Sequence, residues 1–217
     1  IHVTSARTAE MAKLTENSFR DVNIAFANEL SVICDRLEID VWELIDLANK
    51  HPRVNILRPG PGVGGHCIAV DPWFIVSADP DNANIIHMAR KVNDGKPNWV
   101  IDKFEDRLKE LESSSPVAVL GLAFKPDIDD LRESPALEIA TTISERHASR
   151  EILVVEPNVE NLPPSLRQRS NVRHVPLETA LDEAQLVLVL VAHSEFKDIA
   201  VNLIQDDRVI DTCGILA

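Results

Sequence analysis

Val117-Ala118-Val119-Leu120-Gly121-Leu122 is apolar from end to end. A strand with one wet face alternates apolar and polar residues, whereas an unbroken apolar run suits a strand covered on both faces. Ile152-Leu153-Val154-Val155, Leu186-Val187-Leu188-Val189-Leu190-Val191 and Val209-Ile210-Asp211 repeat the pattern. Between these runs, Pro135 to Ile143, Leu177 to Glu183 and Phe196 to Leu203 carry helical spacing. Alternating strands and helices predict a buried parallel sheet, so residues 116–217 read as a doubly wound α/β domain. Ligands of such domains bind beyond the carboxyl ends of the strands. Lys125, Asp127, Asp129, Asp130, Arg132 and Glu133 fall there, after the first strand. A charged connection that only solvates the domain edge would have the same composition. The lone Gly121 makes no dinucleotide fingerprint.

Upstream of Ser113-Ser114-Ser115-Pro116 the pattern is helical, and residues 1–112 form the other domain. Residues 6–37 hold no Gly or Pro and read as one long helix, with Ser5 or Thr8 as its cap. Glu10, Lys13, Asn17 and Asp21 form a polar stripe on it, which spacing alone reads as a solvated face. Val41 to Lys50 is a second helix capped by Asp40 and buried through Val41, Leu44, Ile45 and Ala48. Residues 83–111 give a further long helical period that Gly95 and Pro97 are expected to kink or divide. Long helices with so few short-range contacts predict a second copy of the chain to complete the core.

The densest chemical signal is Arg58-Pro59-Gly60-Pro61-Gly62-Val63-Gly64-Gly65-His66-Cys67-Ile68-Ala69-Val70-Asp71-Pro72, with four of the chain's seven glycines. Such a loop lets backbone N–H groups face an anion. Asp71-Pro72 reads as an N-cap followed by a first-turn proline. A thiol just ahead of a helix start lies where a thiolate is stabilised. The pattern therefore predicts an anion-cradling loop that carries the nucleophile Cys67, against the plainer reading of a surface turn beside an ordinary cysteine. Gly60, Gly62 and Gly65 match G-x-G-x-x-G, but Pro52, Pro59 and Pro61 crowd the approach and no apolar strand precedes it. A dinucleotide loop is rejected there.

The net charge of −13 argues against nucleic acid or an anionic membrane as partner. Cys34, Cys67 and Cys213 have neither metal-ligand nor disulfide-scaffold spacing, so no metal is expected and a reducing, cytoplasmic setting is. No apolar run is long enough to span a membrane. The opening Ile1-His2-Val3-Thr4-Ser5 has no initiator methionine and leads straight into a helix, which reads as part of a longer protein.

Ala9-Glu10-Met11-Ala12-Lys13-Leu14-Thr15-Glu16-Asn17, Phe26-Ala27-Asn28-Glu29, Gly64-Gly65-His66-Cys67, Asp71-Pro72, Gly121-Leu122-Ala123-Phe124-Lys125-Pro126-Asp127 and Arg132-Glu133-Ser134-Pro135, in that order, resemble the nucleotide-sugar 6-dehydrogenases. The loop form is most similar to the branch that acts on UDP-N-acetyl-D-mannosamine, with the UDP-glucose and GDP-mannose branches as alternatives. The resemblance implies a helical dimerisation domain followed by a Rossmann-like UDP-sugar-binding domain. The family's N-terminal NAD domain has no counterpart here, so this chain alone would not turn over. The resemblance also implies oxidation of the C6 alcohol to the uronate, with NAD as cofactor and a thioester on Cys67. Catalytic roles fall on Cys67, Lys13, Asn17 and Asp71. Substrate binding falls on Gly62, Gly64, Gly65, His66, Lys125 and Arg132, and on Arg53 reaching a UDP-sugar held by the other copy of a homodimer. Cys213 stands where relatives carry Arg or Lys. A module that binds nucleotide sugars or dimerises without catalysis is the competing reading, although it would have no need of the thiol.

Overall fold

The computed structural model describes residues 3–197 and 207–217. The chain packs as two compact units, one of residues 1–59 and 63–95, the other of residues 60–62 and 96–217.

The first unit is helical. Helix α1 (Ala6–Arg36) starts at Ser5, whose Oγ accepts from Thr8 N at 3.1 Å. Helix α2 (Val41–Ala48) is capped by Asp40, which accepts from Trp42 N and Glu43 N. Of its expected apolar face, Ile45 alone is fully buried. Helix α3 (Asp71–Ala78) packs on α1, and α4 (Asn84–Leu108) begins within this unit. Gly95 and Pro97 do not divide α4, which runs through both. A proline lacks only one helical donor, and Gly95 puts no side chain in the way.

Helix α1 inverts the usual amphipathic arrangement. Its buried side is small or polar: Asn17, Ser18, Asp21, Ala25, Ala27, Asn28, Ser31 and Cys34. Phe19 (68% exposed), Phe26, Ile33 and Leu37 face outward. The polar stripe is thus buried in part, because α3 and α4 bring hydrogen-bond partners to Asn17 and Asp21. Arg90 Nη1 donates to Asp21 Oδ1 at 2.6 Å, Asn93 Nδ2 donates to the same oxygen at 2.8 Å, and Asn28 Nδ2 donates to Asn93 Oδ1 at 2.9 Å.

The second unit is a parallel sheet in the order β3-β2-β1-β4-β5. Its strands are β1 (Val117–Leu120), β2 (Ile152–Val155), β3 (Val172–His174), β4 (Leu186–Val189) and β5 (Val209–Asp211). Side chains of β1, β2 and β4 alternate between two covered faces. Val117, Val119, Ile152, Val154, Leu186 and Leu188 join one core with Val100, Ile101, Phe104 and Leu108 of α4 and Ile139 and Ile143 of α5 (Pro135–Arg146). Ala118, Leu120, Leu153, Val155, Val187 and Val189 join the other, with Ala180 of α7 (Leu177–Glu183) and Phe196. This packing places residues 96–112 with the sheet, whereas the sequence-drawn ranges 1–112 and 116–217 set them with the helices. Strand β3 and the short α6 (Pro164–Arg167) have no counterpart in the sequence reading. The helical period at Phe196 to Leu203 lies largely outside the described residues.

Candidate active site

The glycine-rich loop needs its glycines at two places. Gly62 has φ +150°, and a Cβ there would lie 2.9 Å from Pro135 Cβ at the start of α5. Gly65 is buried with φ +80°, in the left-handed region that favours glycine. Gly64 and His66 flank it, His66 exposed. Beyond them, Val70 N and Asp71 N both donate to the Cys67 carbonyl, at 3.2 and 2.8 Å. The backbone of Cys67 is tied one turn ahead of α3 while its thiol stays exposed.

Asp71 is not the cap of α3, contrary to expectation. It occupies the first helical turn, with Val70 at the cap position and no side-chain capping bond. Its carboxylate is engaged elsewhere: Asn17 Nδ2 donates to Asp71 Oδ2 at 2.5 Å, joining α1 to α3. Asn17, Asp71 and Cys67 are therefore linked, by one side-chain bond and one backbone bond. Lys13 stands one turn before Asn17 on α1, and its Nζ pairs with Glu16 Oε2 at 3.3 Å on an exposed surface. A pair so exposed holds the ammonium only weakly. Arg53 is exposed in the turns after α2, where its N–H donates to His51 Nδ1 at 3.3 Å.

In the second unit, Lys125 and Arg132 lie on the loop that leaves β1, both exposed. Arg132 is paired with Asp130, which accepts from its Nε at 2.9 Å and from Nη2 at 2.7 Å. Beneath this loop sits a fully buried pair that the sequence reading missed, Glu156 at the end of β2 and His193 after β4. Glu156 Oε2 accepts from Leu122 N at 2.7 Å, Ala123 N at 3.1 Å and His193 Nε2 at 3.1 Å. His193 Nδ1 accepts from Asp127 N at 3.0 Å. A backbone amide can only donate, so the imidazole carries its proton on Nε2. With Nδ1 so engaged, the neighbouring carboxylates Asp127 and Glu195 gain no free ring nitrogen with which to hold a cation. One sequence signal pointed here: Glu156 breaks off an otherwise apolar strand.

Burial by itself raises the Glu156 carboxyl. The bonds from His193, Leu122 N and Asn158 N outweigh it and hold the group below its ordinary value. A folded-state pKa below the unfolded one gives stability that is present above the unfolded value and lost as pH falls through the folded one. The sheet unit should thus lose this contribution on acidification below about pH 4.5. Melting temperatures of the parent and Glu156→Gln between about pH 3.5 and 6 check this. Parallel slopes would show that the carboxylate is not the cause.

Residues 7–95 match the family model described as UDP-glucose/GDP-mannose dehydrogenase family, central domain, and residues 118–217 match that family's UDP binding domain. The UDP-N-acetyl-D-mannosamine dehydrogenase of Campylobacter jejuni is 60% identical over 97% of this chain and 50% of its own length. An NDP-N-acetyl-D-galactosaminuronic acid dehydrogenase of Ralstonia solanacearum is 54% identical over 98% of the chain and 49% of its own. The chain spans about half the length of the curated relatives it matches. Among solved structures, the UDP-D-ManNAc dehydrogenase of Pyrococcus horikoshii superposes with a TM-score of 0.81 at 35% identity, over 99% of this chain and 50% of that one. The UDP-N-acetyl-mannosamine dehydrogenase of Staphylococcus aureus gives 0.79 at 45% identity, over 98% and 49%.

Proposed function

This chain belongs to the UDP-glucose/GDP-mannose dehydrogenase family, and we propose that it is the substrate-handling portion of an enzyme that oxidises the C6 alcohol of UDP-N-acetyl-D-mannosamine to the uronate. The observation that carries this reading is the Asn17–Asp71 bond beside a tethered, exposed Cys67. It joins three of the four implied catalytic residues across 54 positions of sequence. A module that only bound nucleotide sugars would have no use for an exposed thiol there.

Cys67 acts as the nucleophile. Its thiolate adds to the C6 aldehyde, and the carbonyl oxygen takes up a proton to give a thiohemiacetal. Loss of the second hydride from C6, with the hydroxyl proton, turns the thiohemiacetal into a thioester, and water then attacks it, releasing the uronate and returning the thiol. Lys13 offsets negative charge on the C6 oxygen. Asn17 spends one N–H on Asp71 and so keeps its other N–H and its carbonyl oxygen, in a fixed orientation, for that oxygen or the water. Gly62, Gly64, Gly65 and His66 offer backbone N–H groups to the sugar and phosphates, and Lys125 and Arg132 meet the nucleotide. Two hydrides leave C6 in the full reaction, and NAD is the acceptor that the family resemblance implies. The exit of β1 does not fit a dinucleotide, because the Glu156 carboxylate already takes the amides of Leu122 and Ala123. No residue of this chain is assigned to NAD.

The labelling test uses iodoacetamide and UDP-N-acetyl-D-mannosamine. Cys67 should react first and be protected by the nucleotide sugar, while the buried Cys34 stays unlabelled. Protection at Cys213 in place of Cys67 would remove the covalent reading. All three cysteines are unpaired, which supports placing the reaction in the cytoplasm. No helix among the described residues is long and apolar enough to cross a membrane.

The same reading includes a homodimer, with Arg53 of one copy serving substrate held by the other. Phe19, Phe26 and Ile33 recur every seven residues along the outer face of α1, the spacing of a helix–helix seam. Light scattering should give twice the mass of 24.1 kDa at micromolar concentration. Phe26→Glu should give the single mass, and a parent that is already monomeric would refute the seam.

A further inference from the structure

We propose that Glu156 and His193 are positioning residues for Lys125: a buried carboxylate–imidazole pair that clamps the β1 exit loop on both sides of the lysine and so presents its ammonium to the diphosphate of a nucleotide. The proposal rests on the reading of Lys125 as a nucleotide contact.

The geometry is bilateral. On the N-terminal side, Leu122 N and Ala123 N donate to Glu156 Oε2 at 2.7 and 3.1 Å. On the C-terminal side, Asp127 N donates to His193 Nδ1 at 3.0 Å, two residues beyond Lys125. The two arms are one unit, since His193 Nε2 donates to the same Glu156 oxygen at 3.1 Å. Further bonds make the attachment reciprocal. The Asp127 carboxylate accepts from Ser194 N and Ser194 Oγ, each at 2.8 Å, and Ser134 Oγ donates to the Leu122 carbonyl at 2.6 Å.

Both members of the pair are fully buried, so their side chains are not available to touch the nucleotide. Exposed Lys125 lies between the two anchor points. The loop also holds two residues away from their preferred backbone region, Asp127 at φ 59° and Glu133 at φ 50°. Such a conformation persists only where its surroundings impose it. A lysine on a free loop would lose side-chain and backbone freedom on binding, and a loop fixed in advance removes the backbone part of that cost. The buried carboxylate is therefore put to use in shaping the loop.

The test is titration of the 217-residue chain with UDP by calorimetry, after thermal melts have shown each variant to be folded. The variants are Glu156→Ala, Glu156→Gln and His193→Gln, each alone and combined with Lys125→Ala. Glu156→Gln keeps an acceptor for the two amides. His193→Gln keeps a donor toward Glu156, but its acceptor, the amide oxygen, lies one bond farther from the backbone than Nδ1 and so out of line with Asp127 N. Glu156→Ala and His193→Gln should weaken UDP binding by about five- to tenfold, and Glu156→Gln by less than about twofold. In the Lys125→Ala background these effects should vanish, because the residues act through the lysine. If Glu156→Ala fails to fold, His193→Gln decides by itself. Undiminished losses in the Lys125→Ala background, or unchanged affinity in folded His193→Gln, would overturn the clamp alone. Unchanged affinity in Lys125→Ala would overturn the nucleotide role of the lysine, and the clamp with it.

Discussion

Replacing Cys67 by serine in the longer protein should lower turnover roughly a thousandfold or more, the scale seen when a nucleophile is removed from a catalytic unit. A serine hydroxyl is scarcely ionised near neutral pH, and the oxygen ester it forms hydrolyses more slowly than a thioester. Binding of the nucleotide sugar should change little, since the Cys67 carbonyl keeps its bonds from Val70 N and Asp71 N whatever the side chain. A sugar adduct on the serine would appear in intact mass. Steady-state rates and calorimetry on the same preparation separate the two effects. Near-normal turnover would rule out the covalent route. Equal losses in rate and affinity would instead assign Cys67 a binding role.

Arg90→Ala should destabilise the helical unit by about 3–5 kcal/mol, because it leaves Asp21 as a charge buried beside an empty site. Arg90 is 1% exposed and Asp21 is fully buried, with Asp21 Oδ2 and Arg90 Nε making no bond among the described residues. Burial pushes the Asp21 carboxyl above its ordinary value, against the opposing pull of Arg90 and Asn93. The arrangement is thus incompletely satisfied, and its value is in the position it imposes. Asp21 lies one turn from Asn17 on α1, so the pair sets the register in which Asn17 meets Asp71. The double change Asp21→Leu with Arg90→Met should recover most of the lost stability, as apolar replacement of a buried ion pair often does. Denaturant unfolding of the three proteins measures this, and a double variant no better than Arg90→Ala would show that the pair itself stabilises the fold. With the double change, catalytic defects that remain at parental stability would belong to the lost register.

Continuous apolar runs made the parallel sheet legible, since strands covered on both faces have no reason to include polar residues. Strands β1, β2 and β4 are where those runs stand. Strand β3 escaped because it is an edge, and Val172-Arg173-His174 keeps two exposed polar side chains. The glycine-rich loop and Cys67 were visible because glycine density and a thiol are local properties. Local spacing misjudged the polar stripe of α1 as solvated, because periodicity records that a face is polar and cannot tell whether a neighbouring helix brings partners to it.

The alternation of strands β1, β2, β4 and β5 with helices, the cap at Asp40, and the cysteine ahead of α3 were determined by sequence alone, each through patterns within a few residues. Tertiary structure decided the rest. Asn17 meets Asp71 across 54 positions, Asp21 meets Arg90 across 69, and Glu156 meets His193 across 37. It also decided that the second half of α4 belongs with the sheet. These pairings depend on which faces pack together, and a buried polar group finds its partner only after chain segments far apart in sequence have been brought within hydrogen-bond reach.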